Sequence, residues 1–148
     1  DNLIEVSTLA RKTDDSVAKA QVLLGLAYMY EEIEHYDALN EIGEAVKTIN
    51  RLENPDIFSD SINRQIVGKN FAFVAIYNSP GYNLENAFTT ISKTDFDLTM
   101  AHAQSLNDSY FQTLAVLAIA KNCVENSKKE LKKKKKESGN KIQESIGA

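Results

Sequence analysis

Ala38, Ile42, Ala45, Ile49 and Leu52 recur in steps of four, three, four and three. That spacing keeps one apolar seam on one side of a helix, and it suits no strand, whose side chains alternate with period two. Leu39 and Val46 widen the seam. Such a face must be covered, and a second one lies just upstream. Ala20, Leu23, Leu24, Ala27 and Tyr30 share a face of a helix expected from about residue 17 to 33. Thr13-Asp14-Asp15-Ser16 places side-chain oxygens in front of it, ready to cap its free amides. The crowd of Glu31, Glu32 and Glu34 at its far end opposes the helix dipole and predicts a break near His35-Tyr36-Asp37. Two seams joined by so short a link imply an antiparallel helical hairpin, closed at Asn54-Pro55-Asp56 where proline ends the second helix near residue 52.

The same logic extends along the chain. Leu3, Ile4, Val6, Leu9 and Ala10 predict a short amphipathic helix over 3–12. Asn83 is placed to cap a helix over 84–92, Thr94-Asp95 one over 96–106, and Asn107-Asp108-Ser109 the longest, from Tyr110 to Lys129 or beyond. Phe111, Leu114, Leu117, Ala118 and Cys123 are its expected buried face, and Gly139 its expected end. One stretch differs. Gln65-Ile66-Val67, a turn signal at Gly68-Lys69-Asn70, and Phe71-Ala72-Phe73-Val74-Ala75-Ile76-Tyr77 read as a short β-hairpin near 64–77. A buried helix is the alternative for so short an apolar run. Ser79-Pro80-Gly81 predicts a type II turn. The expected fold class is mostly α, built of stacked antiparallel helical hairpins in the manner of an α-solenoid.

The two ends of the chain echo each other at an offset of 93. Ala10 matches Ala103, Asp15-Ser16 matches Asp108-Ser109, Leu24 matches Leu117 and Ala27 matches Ala120. Leu24-Gly25, Tyr28, Ala38, Ile42 and Ala45 follow the pattern of a tetratricopeptide repeat with an inter-helix connection one residue longer and a late closing Pro55, and the stretch from Gln21 to Pro55 resembles one, with Gln21 where an aromatic is usual. The 95–125 stretch is similar to helical-repeat regions of uncharacterised bacterial proteins. The resemblance implies a protein–protein scaffold with a peptide-binding groove.

Charge divides the chain into a helical-repeat domain, 1–127, and a Lys-rich helix end or tail, 128–148. Residues 1–120 hold 8 Lys/Arg and 17 Asp/Glu, a charge of −9, while residues 121–148 hold 9 Lys and 4 Glu, a charge of +5. The tail run Lys132, Lys133, Lys134, Lys135 and Lys136 is the candidate for contact with anions; a solvated helix end is the plainer reading. It lacks the arginines and aromatics of specific nucleic-acid readers, so no specific nucleic-acid partner is expected. No apolar run reaches the roughly 18 residues of a membrane span. The chain begins at Asp1, which suggests a processed form or part of a longer protein and leaves cytoplasmic and exported locations both open.

Catalytic and metal signatures are weak. Glu32-x-x-His35 has the spacing of a carboxylate-bridged di-iron helix, but His102 has Thr99 three residues before it, so the second copy is missing and no metal is expected. His102, flanked by Leu98 and Leu106, reads as a half-buried histidine; Cys123 reads as a small hydrophobe. There is no nucleophile elbow and no Gly-rich phosphate loop, hence no small-molecule substrate or cofactor is indicated. Aromatic residues do concentrate, and Tyr28, Tyr30, Tyr36, Tyr77 and Tyr82, with Phe71 and Phe73, are candidates either for core filling or for a partner-binding surface. The sequence therefore points to a non-enzymatic protein–protein interaction module of helical repeats, with a self-associating structural or assembly subunit as the alternative.

Overall fold

The computed structural model describes residues 2–33 and 36–146, with side chains described as far as Lys134. The described residues form α1 (Asn2–Lys12), α2 (Val17–Glu32), α3 (Ala38–Ile49), β1 (Ser61–Val67), β2 (Ala72–Asn78), a 3-10 turn (Pro80–Tyr82), α4 (Leu84–Ile91), α5 (Phe96–Gln104) and α6 (Ser109–Ile146). The protein is thus mostly helical, 65%, with one small antiparallel sheet.

Four helix starts follow from the capping side chains expected of them. Ser16 Oγ accepts from the Lys19 amide at 3.1 Å. Asn83 Oδ1 accepts from Glu85 N at 2.9 Å, Asp95 Oδ1 from Leu98 N at 2.9 Å, and Asp108 Oδ1 from Tyr110 N at 2.7 Å. Each satisfies a donor that the first helical turn leaves without an intrahelical acceptor.

α2 is the centre of the molecule. It packs against α1, α3, α4 and the 3-10 turn, so it is buried on nearly every side. That explains why Gln21, Gly25 and Leu26 are buried along with the expected Ala20, Leu23, Leu24, Ala27 and Tyr30. α3 presents Ala38, Ile42, Ala45, Val46 and Ile49 to the core, as its seam requires, and lies along α2 across the short link. Phe88, Leu84 and Ile91 of α4 and Ile119 of α6 complete the interior. Gly25 and Gly81 face each other. A Cβ on Gly25 would stand 2.8 Å from the Tyr82 ring, and one on Gly81 2.6 Å from Tyr28 Cβ and 3.1 Å from Gly25 Cα. The turn therefore rests on α2 with almost no side chain between them.

Three expectations are corrected. Ser79-Pro80-Gly81 forms a 3-10 turn rather than a type II turn, with Ser79 Oγ accepting from Gly81 N; Gly81 lacks the positive φ that type II requires and is needed instead for closeness to α2. Gly139 does not end α6, which continues to Ile146. One interior glycine costs a helix only roughly 1 kcal/mol, and beyond its direct neighbours Ser138 and Asn140 the flanking Lys136, Glu137, Lys141, Gln143 and Glu144 are good helix formers. The charge boundary at 127/128 accordingly falls inside a single helix. Finally, Leu117 is exposed and Leu114 only half-buried; α6 buries the expected Phe111 and Ala118 together with Ala115, Ile119 and Asn122. The amide of Asn122 donates to Ser92 Oγ at 3.0 Å, tying α6 to the end of α4. Capping explains the register. Ser16 caps α2 with the second residue of its Asp-Ser pair, Asp108 caps α6 with the first. At the offset of 92 that aligns these caps, Leu23, Leu26, Ala27 and Tyr30 coincide with the buried Ala115, Ala118, Ile119 and Asn122, while the buried Gln21 and Gly25 fall on the exposed Thr113 and Leu117.

Candidate interaction surface

β1 and β2 pair in uninterrupted register, Ser61 opposite Asn78 through Val67 opposite Ala72, around a two-residue loop, Lys69-Asn70. The hairpin is the one expected near 64–77, with its ladder extended to 61 and 78. Its root is secured. Ser79 N donates to Asp60 O at 2.8 Å, and the buried Gln21 donates from Nε2 to Ser59 O at 3.0 Å. Above the root the strands pack chiefly on each other. Val67, Phe71, Phe73, Val74, Ile76 and Tyr77 are each more than half exposed. Phe71 and Phe73 stack on one another at 5.9 Å. None of the buried apolar residues of the core comes from 61–78. Ile62, half-buried, closes one side of a groove of about 370 Å³ shared with Val6, Leu9, Ala10 and Val22.

The five tyrosines do not form one surface. Tyr30 is in the core and burial raises its pKa. Tyr28 and Tyr82 are half-buried at the crossing of α2 and the 3-10 turn, Tyr36 is exposed in the link before α3, and only Tyr77 lies on the hairpin. In the tail, Lys132, Lys133 and Lys134 are exposed, while the side chains of Lys135 and Lys136 lie outside the described residues. A further apolar stripe runs along α6: Tyr110, Leu117, Val124 and Leu131, all exposed and spaced by seven. Its signal in the sequence is the unbroken heptad interval, which the expectation of a buried Leu117 masks.

A second concavity of about 620 Å³ lies between α3 and α5, lined among others by Arg11, Glu44, Lys47, Asn50 and His102. His102 is half-buried, as expected, and sits on Gly43, where a Cβ would come within 2.9 Å of its Cε1. Burial, and then the Lys47 charge, lower its pKa. The nearby Ser105 hydroxyl donates to the main-chain oxygen of His102 at 2.8 Å, not to its ring. The cleft thus presents an imidazole whose charged form is disfavoured by burial. Deeper, Glu41 Oε1 accepts from Ser7 Oγ at 2.6 Å and from Arg11 Nη2 at 2.9 Å, a buried carboxylate joining α1 to α3. This hydrogen bond raises the Arg11 pKa. On the surface, Arg51 and then Lys19 lower the Asp15 pKa to about 2.

His35, the histidine of the Glu32-x-x-His35 motif, lies outside the described residues, as does Glu34; among those described, no group of His, Cys, Asp or Glu is placed to hold a metal. Cys123 is half-buried. No described helix is long and apolar enough to cross a membrane. Comparison of the chain with protein-family models, with curated proteins and with solved structures gives no match.

Proposed function

We propose that this chain is a non-enzymatic protein–protein interaction module, a helical body in the manner of a degenerate tetratricopeptide-like repeat that holds out an apolar β-hairpin for a protein partner. One observation carries the reading: six large apolar side chains of residues 67–77 are exposed together on an element that contributes nothing to the core. With Phe71, Phe73 and Tyr77 on one face and Val67, Val74 and Ile76 on the other, the hairpin shows apolar surface on both sides, which costs solubility and favours an interaction site over a folding need. The exposed heptad stripe of α6 is a second surface of the same character. The alternative reading, a self-associating structural subunit, uses the same hairpin with another copy as partner.

The test is site-specific photo-crosslinking in the native source, with a benzophenone side chain at Phe73 and, as control, at the exposed polar position Glu85. The reading expects protein adducts from Phe73 that the control lacks, whether to a copy or to another protein. Equal adducts from both positions, or none, would overturn it.

A further inference from the structure

We infer that the free edge of β2 is a self-recognition strand: two copies join β2 to β2 antiparallel about a twofold axis at Ala75, making one four-stranded sheet. This rests on the interaction reading above and names its partner as a second copy of the chain.

The edge is unprotected. Natural edge strands carry charges, prolines or bulges that repel another strand. From Asn70 to Leu84 no residue is charged, no proline falls within β2, and the ladder has no bulge. A lone two-stranded hairpin is marginal in water, and a third and fourth strand complete a sheet of ordinary size.

The ladder also fixes which groups are free. Gly68 N donates to Phe71 O at 2.8 Å at one end, and Ser79 N donates to Asp60 O at 2.8 Å at the other. Hydrogen-bonded and non-bonded pairs alternate between these limits, so Phe73, Ala75 and Tyr77 direct their main-chain groups to β1. Ala72, Val74, Ile76 and Asn78 direct theirs outward. A twofold at Ala75 sets Val74 opposite the partner's Ile76 and Ala72 opposite the partner's Asn78. These are the outward-facing residues, so the free amides and carbonyls meet one another in about eight hydrogen bonds.

The side chains select the same axis. The middle of β2, residues 73–77, reads the same in both directions by chemical class: aromatic at Phe73 and Tyr77, β-branched at Val74 and Ile76, Ala75 in the middle. An isologous interface needs such self-complementarity, because each contact occurs twice with the roles exchanged. Here Phe73 faces the partner's Tyr77 in a non-bonded pair, where side chains approach closest, and Val74 faces the partner's Ile76. A register shifted to any other centre breaks one of these matches. A hetero-partner would need no such palindrome, which is why a second copy is favoured. Edge pairing covers the facing flanks of Phe73, Val74, Ile76 and Tyr77 and the main chain between them, while both faces of the sheet stay open. The interface is therefore small, below about 1,200 Å² in total, and a weak dimer with a dissociation constant on the order of 100 micromolar is expected.

Sedimentation velocity on the full chain, over a concentration series to about 1 mM, tests this. The parent should dimerise. Val74→Pro, which removes an outward amide and no bond to β1, should weaken dimerisation about tenfold or more with an unchanged far-ultraviolet spectrum. Val74→Lys/Ile76→Lys opposes like charges across the axis and should be monomeric, whereas Val74→Lys/Ile76→Glu opposes unlike charges and should keep the dimer. The last two alter the same positions, so their contrast survives any loss of hairpin stability. A parent monomeric throughout, or two charge variants that associate equally, overturns the inference. A monomer that still yields Phe73-specific adducts to another protein leaves the interaction reading standing and removes only this one.

Discussion

Gly25→Ala tests the packing on which the whole body is built. Gly25 lies in the interior of α2, where alanine is normally favoured by about 1 kcal/mol. The structure predicts the opposite here. The new Cβ would lie 2.8 Å from Tyr82 Cδ1 and Cε1, closer than side chains tolerate, and apart from its own helix Tyr82 is the residue it meets within 4 Å. Displacing a packed ring costs about 1–3 kcal/mol. The net effect should be destabilisation by about 1 kcal/mol, the difference between the two effects at the middle of the range. Tyr82→Ala removes the obstacle, so in that background Gly25→Ala should stabilise, by about 1 kcal/mol. The sign reversal corresponds to a coupling energy of about 2 kcal/mol. Urea unfolding of the four proteins of the cycle, followed by circular dichroism, reads this as opposite shifts of the midpoint at constant slope. If Gly25→Ala stabilises the parent as it does the Tyr82→Ala variant, the turn does not rest on α2 as described.

Leu24→Asp should unfold the domain, since an unpaired carboxylate at a fully buried site costs several kcal/mol, while Lys133→Glu at an exposed site should melt like the parent. Arg11→Met should destabilise by about 2 kcal/mol by stranding the buried Glu41, and Arg11→Met/Glu41→Leu should recover most of that in the same thermal melts. His102 is held below its ordinary pKa by burial, so the unfolded chain takes up the proton first; stability should fall as pH drops below about 6.5, and His102→Gln should flatten that slope relative to the parent. Replacing residues 61–78 with Asn-Gly should leave a folded body, because Asp60 and Ser79 already form a hydrogen-bonded pair and closing a shorter loop relieves about 2 kcal/mol against the lost contacts of Ile62 and Ser61. Collapse of the melt on that excision would show that the hairpin serves the core.

Most of the helical frame was legible because its signals are local. A cap needs one oxygen at one position, and Ser16, Asn83, Asp95 and the Asp108 turn supply it. The hairpin was legible because its second strand is uncharged, aromatic and β-branched. What failed depended on distance. The buried face of α6 could not be chosen by size: it approaches α4 through Ala115, Ala118 and the amide of Asn122, and leaves Leu117 to solvent. Gly25 fitted a repeat pattern, yet its packing role depends on Gly81 and Tyr82, more than fifty positions away. The tyrosine surface had no local warrant either, and the structure scatters its members from the core to the hairpin. The pairing of Gln21 with the hairpin root shows the same limit, since a buried amide says only that an acceptor must exist somewhere.

Ionic strength separates two ways in which copies of this chain can meet. The acidic body and the basic tail carry opposite charges, −9 over residues 1–120 and +5 over 121–148, so a tail of one copy is drawn to the body of another. Both partners of that contact are exposed charges, and such attraction is screened beyond a Debye length of about 8 Å at physiological salt. Contact through β2 involves no charge at all between Asn70 and Leu84. Its driving forces are apolar burial and main-chain hydrogen bonds, which salt does not screen. The copies themselves carry a net −4 and repel weakly at long range, so adding salt removes a barrier to the strand pairing while it removes the attraction behind the tail contact. The two modes therefore respond to salt with opposite sign. Association that persists or strengthens as salt rises belongs to an apolar surface, the hairpin or the α6 stripe, and the Lys132–Lys136 run then serves a different contact from the one that joins the copies.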